Sequence, residues 1–113
     1  MDKADQEVAL GWAFTEGHVL FRFHAHLEMR FDNVTNADVR LAGAKCEVLE
    51  DYQSRREGRT KVLLGFTGPD DPLHIVVNVK AFESDLQDRV EVVTVYRPEP
   101  PRWVDERTRG DRR

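Results

Sequence analysis

PLHIVV at residues 72–77 and VTVYRPEP at residues 93–100 predict two β-strands, the second running into a proline-rich segment. Side chains alternate between the two faces of a strand, so Leu73, Ile75 and Val77 point to one face and His74 and Val76 to the other. The first strand is therefore largely apolar on both faces. A strand of this kind is central in its sheet, with helices on one face and other residues partly covering the second. His74 and Tyr96 are set into otherwise aliphatic runs, which makes them candidates for chemistry.

Further strands are indicated on both sides of these two stretches. We predict four strands, at residues 46–52, 61–66, 73–80 and 90–96. The GPDDP sequence at 68–72 is a strong turn signal, and residues 81–89 form a polar connection with turn character. Because the connections are short, we expect consecutive strands to pair antiparallel.

The first half of the chain has helical periodicity instead. Ala4, Val8 and Trp12 recur at helical spacing within residues 2–16, which predicts an amphipathic helix that ends near Gly17. We expect Trp12 to belong to the core.

A short apolar run, Val19–Phe23, leads into a second helical segment. We expect that helix to bury one stripe, made of Phe23, Leu27, Phe31 and Val34. Thr35 followed by Asp38 is typical of a capping box and predicts a third, short helix over residues 36–44.

Helices followed by a strand meander predict an α+β fold, with N-terminal helices packed on a four-stranded antiparallel sheet. With 113 residues, the chain has the length of one domain, 1–113. We divide it into an N-terminal helix (1–18), an α+β core (19–103) and a flexible basic tail (104–113).

Composition limits the function classes. Cys46 is the single cysteine, so an internal disulfide is excluded, and we interpret it as a small buried or half-buried strand residue. The chain lacks a run of about 20 apolar residues and a secretory signal, so we expect a cytoplasmic protein without membrane contact. A net charge of −4 counts against dedicated nucleic-acid binding, although the basic clusters at 55–61 and 102–113 leave a docking surface open.

Several side chains are candidates for a site. One stripe of the predicted second helix carries His24, Glu28 and Asp32. The histidine with its neighbouring carboxylates could act as a general base, or the stripe could be an ordinary polar helix face. A metal-dependent hydrolase built on His24, His26 and Glu28 is disfavoured, and we expect no cofactor. His74 is a general acid/base or a buried histidine satisfied by an internal partner, and Tyr96 is a catalytic or a packing residue.

The LHIVV and TVYRP pieces at 73–77 and 94–98, with Trp103 after them, resemble the bacterial domain-of-unknown-function family 4258. The resemblance covers about residues 21–109, and that family is similar to the RelE and BrnT toxin group. It implies helices on a small antiparallel sheet and a ribonuclease paired with an antitoxin. The positions that match the family pattern are His24, Asp51, Tyr52, His74, Tyr96 and Trp103. The chain departs from the pattern at Glu28 and Asp32, where arginine is usual.

Two functions therefore stay open. In the first, the chain is a metal-independent ribonuclease of a toxin–antitoxin module, acting on RNA and binding a cognate antitoxin. Its catalytic residues would be His24, His74 and Tyr96, and its RNA-binding residues Arg30, Arg55, Arg56 and Arg97. In the second, the chain is a non-catalytic protein–protein interaction module that retains the fold only, with a basic protein or a second copy as partner.

Overall fold

The structure of the protein is a computed structural model that describes residues 2–54 and 58–110. Within these residues it has four helices, α1 (Lys3–Glu16), α2 (Phe23–Phe31), α3 (Asn36–Ala44) and α4 (Lys80–Ser84). The same residues form five strands, β1 (Val19–Phe21), β2 (Glu47–Ser54), β3 (Gly58–Phe66), β4 (Pro72–Asn78) and β5 (Val90–Tyr96). The predicted α+β class is confirmed.

The sheet has the strand order β1-β5-β4-β3-β2. Strands β2 to β5 form the expected antiparallel meander, but β1 adds a fifth strand that pairs parallel to β5, with Val19 opposite Val90. The prediction of a four-stranded antiparallel sheet was therefore wrong. Three residues are too few to show strand alternation, and the partner of β1 lies at the far end of the sequence.

The C-terminal end of α1 and the N-terminal start of α3 are set by local hydrogen bonds and backbone conformation, as predicted. The helix α1 ends at Gly17, which adopts the left-handed conformation with φ of 77° that glycine tolerates without steric cost. At the start of α3, the Asp38 N–H donates to the Thr35 hydroxyl (3.0 Å), and the Thr35 N–H donates to the Asp38 carboxylate (2.9 Å). The predicted capping box is confirmed.

The buried face of α1 is not the one that the sequence suggested. Leu10, Ala13 and Phe14 are buried, whereas Val8 is 74% exposed and Trp12 40% exposed. Both faces carry apolar residues at helical spacing, so periodicity alone did not identify the face toward the sheet.

The same error affects α2. Phe23 and Phe31 are 76% and 87% exposed, and the helix buries Ala25 and Met29 on its opposite side. Val34, just after the helix, is buried as expected. The small Ala25 side chain lets α2 lie close to the sheet, where it packs mainly against β5. The prediction of a buried stripe through Phe23 and Phe31 was wrong.

The connection predicted over 81–89 contains a helix. Residues 80–84 form α4, and its Phe82 is buried against the core. A five-residue helix is too short to leave a periodic pattern in the sequence.

The two faces of the sheet are covered differently. The helices pack on the face that carries Leu73, Ile75 and Val77, and this contact forms the hydrophobic core. The opposite face carries His74 and is covered by residues 99–110, which we call the C-terminal strap. Two backbone hydrogen bonds close the strap on itself, from Val104 N to Thr108 O and from Gly110 N to Arg102 O, each 2.8 Å long. The division of the chain at residues 18 and 103 stays a prediction.

Candidate functional site

His74 and Tyr96 lie side by side on the strap-covered face of the sheet. They are directly opposite each other in the antiparallel pairing of β4 with β5. Their rings meet edge to face at a centroid distance of 5.2 Å, and His74 Nδ1 is 3.2 Å from the Tyr96 hydroxyl. The structure thus brings together two of the three predicted catalytic side chains.

Residues of the C-terminal strap cover His74 and exclude solvent from it. The Trp103 ring stands perpendicular to the His74 ring with a centroid distance of 4.3 Å. His74 Nε2 lies 2.7 Å from the backbone carbonyl oxygen of Glu106. As a result, His74 is 0% exposed and Trp103 only 2% exposed.

These contacts define the protonation state of the pair. A carbonyl oxygen only accepts hydrogen bonds, so His74 Nε2 carries the proton and donates it to Glu106. The bare Nδ1 then accepts from the Tyr96 hydroxyl. Burial lowers the pKa of His74 and raises the pKa of Tyr96, because the charged form of each is desolvated. Both side chains are therefore neutral near pH 7.

Ion pairs fasten the strap to β2. The Arg109 guanidinium donates two hydrogen bonds, of 2.6 and 2.7 Å, to the Glu50 carboxylate, and it also lies 4.7 Å from the centre of the Trp103 ring. Arg107 pairs with Glu47 at 3.1 Å, at a more exposed position. Sequence reasoning missed the role of these groups, because a charge near the end of the chain does not reveal which strand it will contact.

Arg97 is committed to structural contacts. Its Nε donates to Asp71 at 2.9 Å, and its Nη1 donates to the backbone carbonyl of Asp32 at 2.7 Å. The Arg97 guanidinium lowers the pKa of Asp71, since their hydrogen bond favours the ionised carboxylate. Arg102, which sequence reasoning did not single out, lies 5.9 Å from the centre of the Tyr96 ring.

His24 lies in a different part of the molecule. It is on α2, with its side chain 70% exposed and its Nε2 3.5 Å from the Glu28 carboxylate. Across the described residues, no hydrogen bond, ion pair or ring contact joins His24 to His74 or Tyr96. Arg30 is also on α2 and exposed. These two residues therefore do not complete a site around His74.

The remaining predicted phosphate-binding residues, Arg55 and Arg56, lie outside the described residues. Within 2–54 and 58–110, no group of three or more His, Cys, Asp or Glu side chains is arranged to hold a metal ion. In the same ranges, no helix has the length and apolarity needed to cross a membrane.

Comparison with known proteins gives one result. A family model described as a domain of unknown function, DUF4258, matches residues 21–97. The match runs from the last residue of β1 to the residue after β5 and includes His24, His74 and Tyr96, whereas α1 and the strap lie outside it. Searches of curated proteins and of solved structures found no match. Because the family model covers more than half of the sequence, this chain belongs to the DUF4258 family.

Proposed function

We propose that this protein is a non-catalytic protein–protein interaction module, with a fold similar to that of the RelE and BrnT toxin group. The observation that carries the proposal is the closure of His74. A general base needs a free nitrogen within hydrogen-bond distance of its substrate. Both ring nitrogens of His74 already have internal partners, and Trp103 covers the ring.

An exposed apolar surface supports the interaction role. Phe23, Leu27 and Phe31 follow one another at four-residue steps on α2 and are 76%, 40% and 87% exposed. We call these three residues the α2 stripe. A contiguous apolar surface of this kind is costly in water and is typical of protein-binding sites. Since the chain has a net charge of −4, the partner that suits it is a positively charged protein with an apolar contact surface.

The test is complex formation with the protein encoded next to this chain, by co-expression and light scattering after size-exclusion chromatography. Phe31→Asp is expected to abolish the complex, because it places a charge at the most exposed apolar residue of the α2 stripe. His74→Ala is expected to leave it intact. Val8→Asp is the matched control, since Val8 is also a strongly exposed apolar residue, on α1, at 74% against 87% for Phe31. A complex that survives Phe31→Asp contradicts the role of the α2 stripe.

A second candidate is the ribonuclease of a toxin–antitoxin module, and the His74–Tyr96 pair supports it. In this proposal, His74 accepts the proton of a ribose 2′-hydroxyl, Tyr96 steadies the phosphate, and the strap opens to admit RNA. His24 is on α2, paired with Glu28 and without contact to this pair among the described residues, so this proposal gives it no step at His74. Of the arginines that the sequence suggested for binding the RNA backbone, Arg97 is held by Asp71 and Arg30 lies on α2 with His24, which leaves this role to Arg55 and Arg56, outside the described residues.

Growth of a bacterial host on induced expression separates the two proposals. The ribonuclease predicts arrest with the wild type, no arrest with His74→Ala or Tyr96→Phe at equal protein levels, and degraded RNA in arrested cells. Arg109→Ala, which loosens the strap, should then increase toxicity. Equal growth of all four strains favours the interaction module.

A further inference from the structure

A second cavity lies on the helix side of the sheet, away from His74. Its volume is ≈ 270 Å³, and it is bounded by α1, β3 and the region of α4. Its apolar wall consists of Ala9, Leu10, Val79, Phe82 and Leu86. Its polar wall consists of Gln6 on α1, Arg59 and Lys61 on β3, and Glu83 on α4. A cavity that is apolar except for a few convergent polar groups is the usual form of a small-molecule site.

Lys61 is the most unusual residue of this cavity. It is 1% exposed, although a lysine is almost never fully buried unless its charge is paired. Its ammonium donates one hydrogen bond, to the Asp51 carboxylate at 2.7 Å. An ammonium group has three N–H donors. The second carboxylate beside this ammonium, Glu83, lies 3.9 Å from Nζ, so Lys61 makes one short hydrogen bond and one longer ion pair.

Arg59 contributes a further donor to the same wall. Its Nη2 group donates to Asp51 at 3.1 Å, but its Nε is buried and makes no hydrogen bond within the described part of the chain. Buried donors of this kind are nearly always satisfied in folded proteins. The polar wall thus contains one buried donor, Arg59 Nε, that makes no hydrogen bond within the described part of the chain.

Glu83 also lines the cavity and forms ion pairs with both cations, although neither pair is a hydrogen bond. Its oxygens lie 3.9 Å from Lys61 Nζ and 3.4 Å from Arg59 Nε, and its side chain is 35% exposed. The first distance is beyond hydrogen-bond range, and Arg59 Nε makes no hydrogen bond across the second. Glu83 therefore balances the charge of the two cations from a position that leaves Arg59 Nε without a hydrogen bond within the described residues.

We propose that this cavity binds a small monocarboxylic acid, whose carboxylate accepts from Lys61 Nζ and Arg59 Nε and whose apolar body contacts Leu10 and Phe82. The bound carboxylate takes the role of Glu83, which moves outward into solvent. Since one water molecule takes up about 30 Å³ of liquid, the cavity of ≈ 270 Å³ has room for a small organic acid rather than for a few waters only. This inference concerns a site separate from both the α2 stripe and the His74–Tyr96 pair.

The experiment is titration of the full-length protein with hexanoate by calorimetry, with hexanamide as the neutral ligand of the same shape. Wild type is expected to bind hexanoate at least about tenfold more tightly, because a charge-assisted hydrogen bond is stronger than a neutral one. Lys61→Met should weaken hexanoate binding by about tenfold or more. The control Lys45→Met, at an exposed position of the described chain, should not change it.

Glu83→Gln gives a test of opposite sign and does not disturb the core, since Glu83 is exposed. Removing the competing carboxylate should tighten hexanoate binding and leave hexanamide binding unchanged. This variant also decides the question if Lys61→Met fails to fold. The proposal is overturned if wild type does not bind hexanoate at millimolar concentration, if hexanamide binds equally well, or if Glu83→Gln leaves hexanoate affinity unchanged.

Discussion

Replacing Arg109 by alanine should detach the strap from β2. The change removes two hydrogen bonds to Glu50 and the contact with the Trp103 ring. The paired side chains are 31% and 20% exposed, so solvent screening limits the ion pair to about 1 kcal/mol. The cation–π contact adds about 0.5–1 kcal/mol. We therefore expect Arg109→Ala to lower the free energy of unfolding by about 1.5–2 kcal/mol.

Urea unfolding followed by circular dichroism measures this loss, which corresponds to a fall of about 1 M in the midpoint. Arg107→Ala is the matched control, because it removes a strap arginine from a more exposed pair and should have a smaller effect. In a Trp12→Phe background, Trp103 fluorescence should shift to longer wavelength in Arg109→Ala as the indole meets water. Equal midpoints for the two arginine variants, with unchanged Trp103 emission, would refute the role of Arg109 as the anchor.

Three further predictions concern packing, pH and reactivity. Gly65→Ala should destabilise by more than the roughly 1–3 kcal/mol of ordinary overpacking, because a methyl group at this position overlaps the Ala42 backbone, and thermal unfolding measures the loss. The pKa of His74 is lower in the folded than in the unfolded chain, so below pH 6.5 the unfolded chain binds more protons. The free energy of unfolding should therefore fall as the pH drops from 6.5 toward the folded pKa. The accompanying decline in the urea midpoint should be smaller in His74→Gln. Burial raises the pKa of Cys46 to about 12, so the native thiol should react with a disulfide reagent only on unfolding, and fast labelling of folded protein would contradict this.

The candidate site could be predicted only in part. His74 and Tyr96 were identified because each interrupts an aliphatic run, and pairing of neighbouring strands then placed them opposite each other. A buried His74 with an internal partner was one of the alternatives, but the residues that cover the pair were not predictable. The acceptor for His74 is a backbone carbonyl of Glu106, and a backbone atom leaves no signal in the sequence.

The burial of Lys61 could not be predicted from the sequence either. In the sequence it is one of several charged residues around a turn, and charged residues are usually exposed. The register of β3 instead turns it toward the helices, opposite Val77 of β4 and Asp51 of β2. Its burial depends on the packing of α1 and α4 over the sheet, which only long-range contacts determine.

The sequence by itself determined the elements whose causes are local. The capping box at Thr35 set the start of α3, Gly17 set the end of α1, and the aliphatic runs defined β4 and β5. Tertiary structure decided which face of each amphipathic helix was buried and that β1 joined the edge of β5. It also laid the strap over His74. The physical reason is that hydrogen bonds within a turn or cap depend on neighbouring residues, whereas burial depends on which distant surface is available to cover an apolar face.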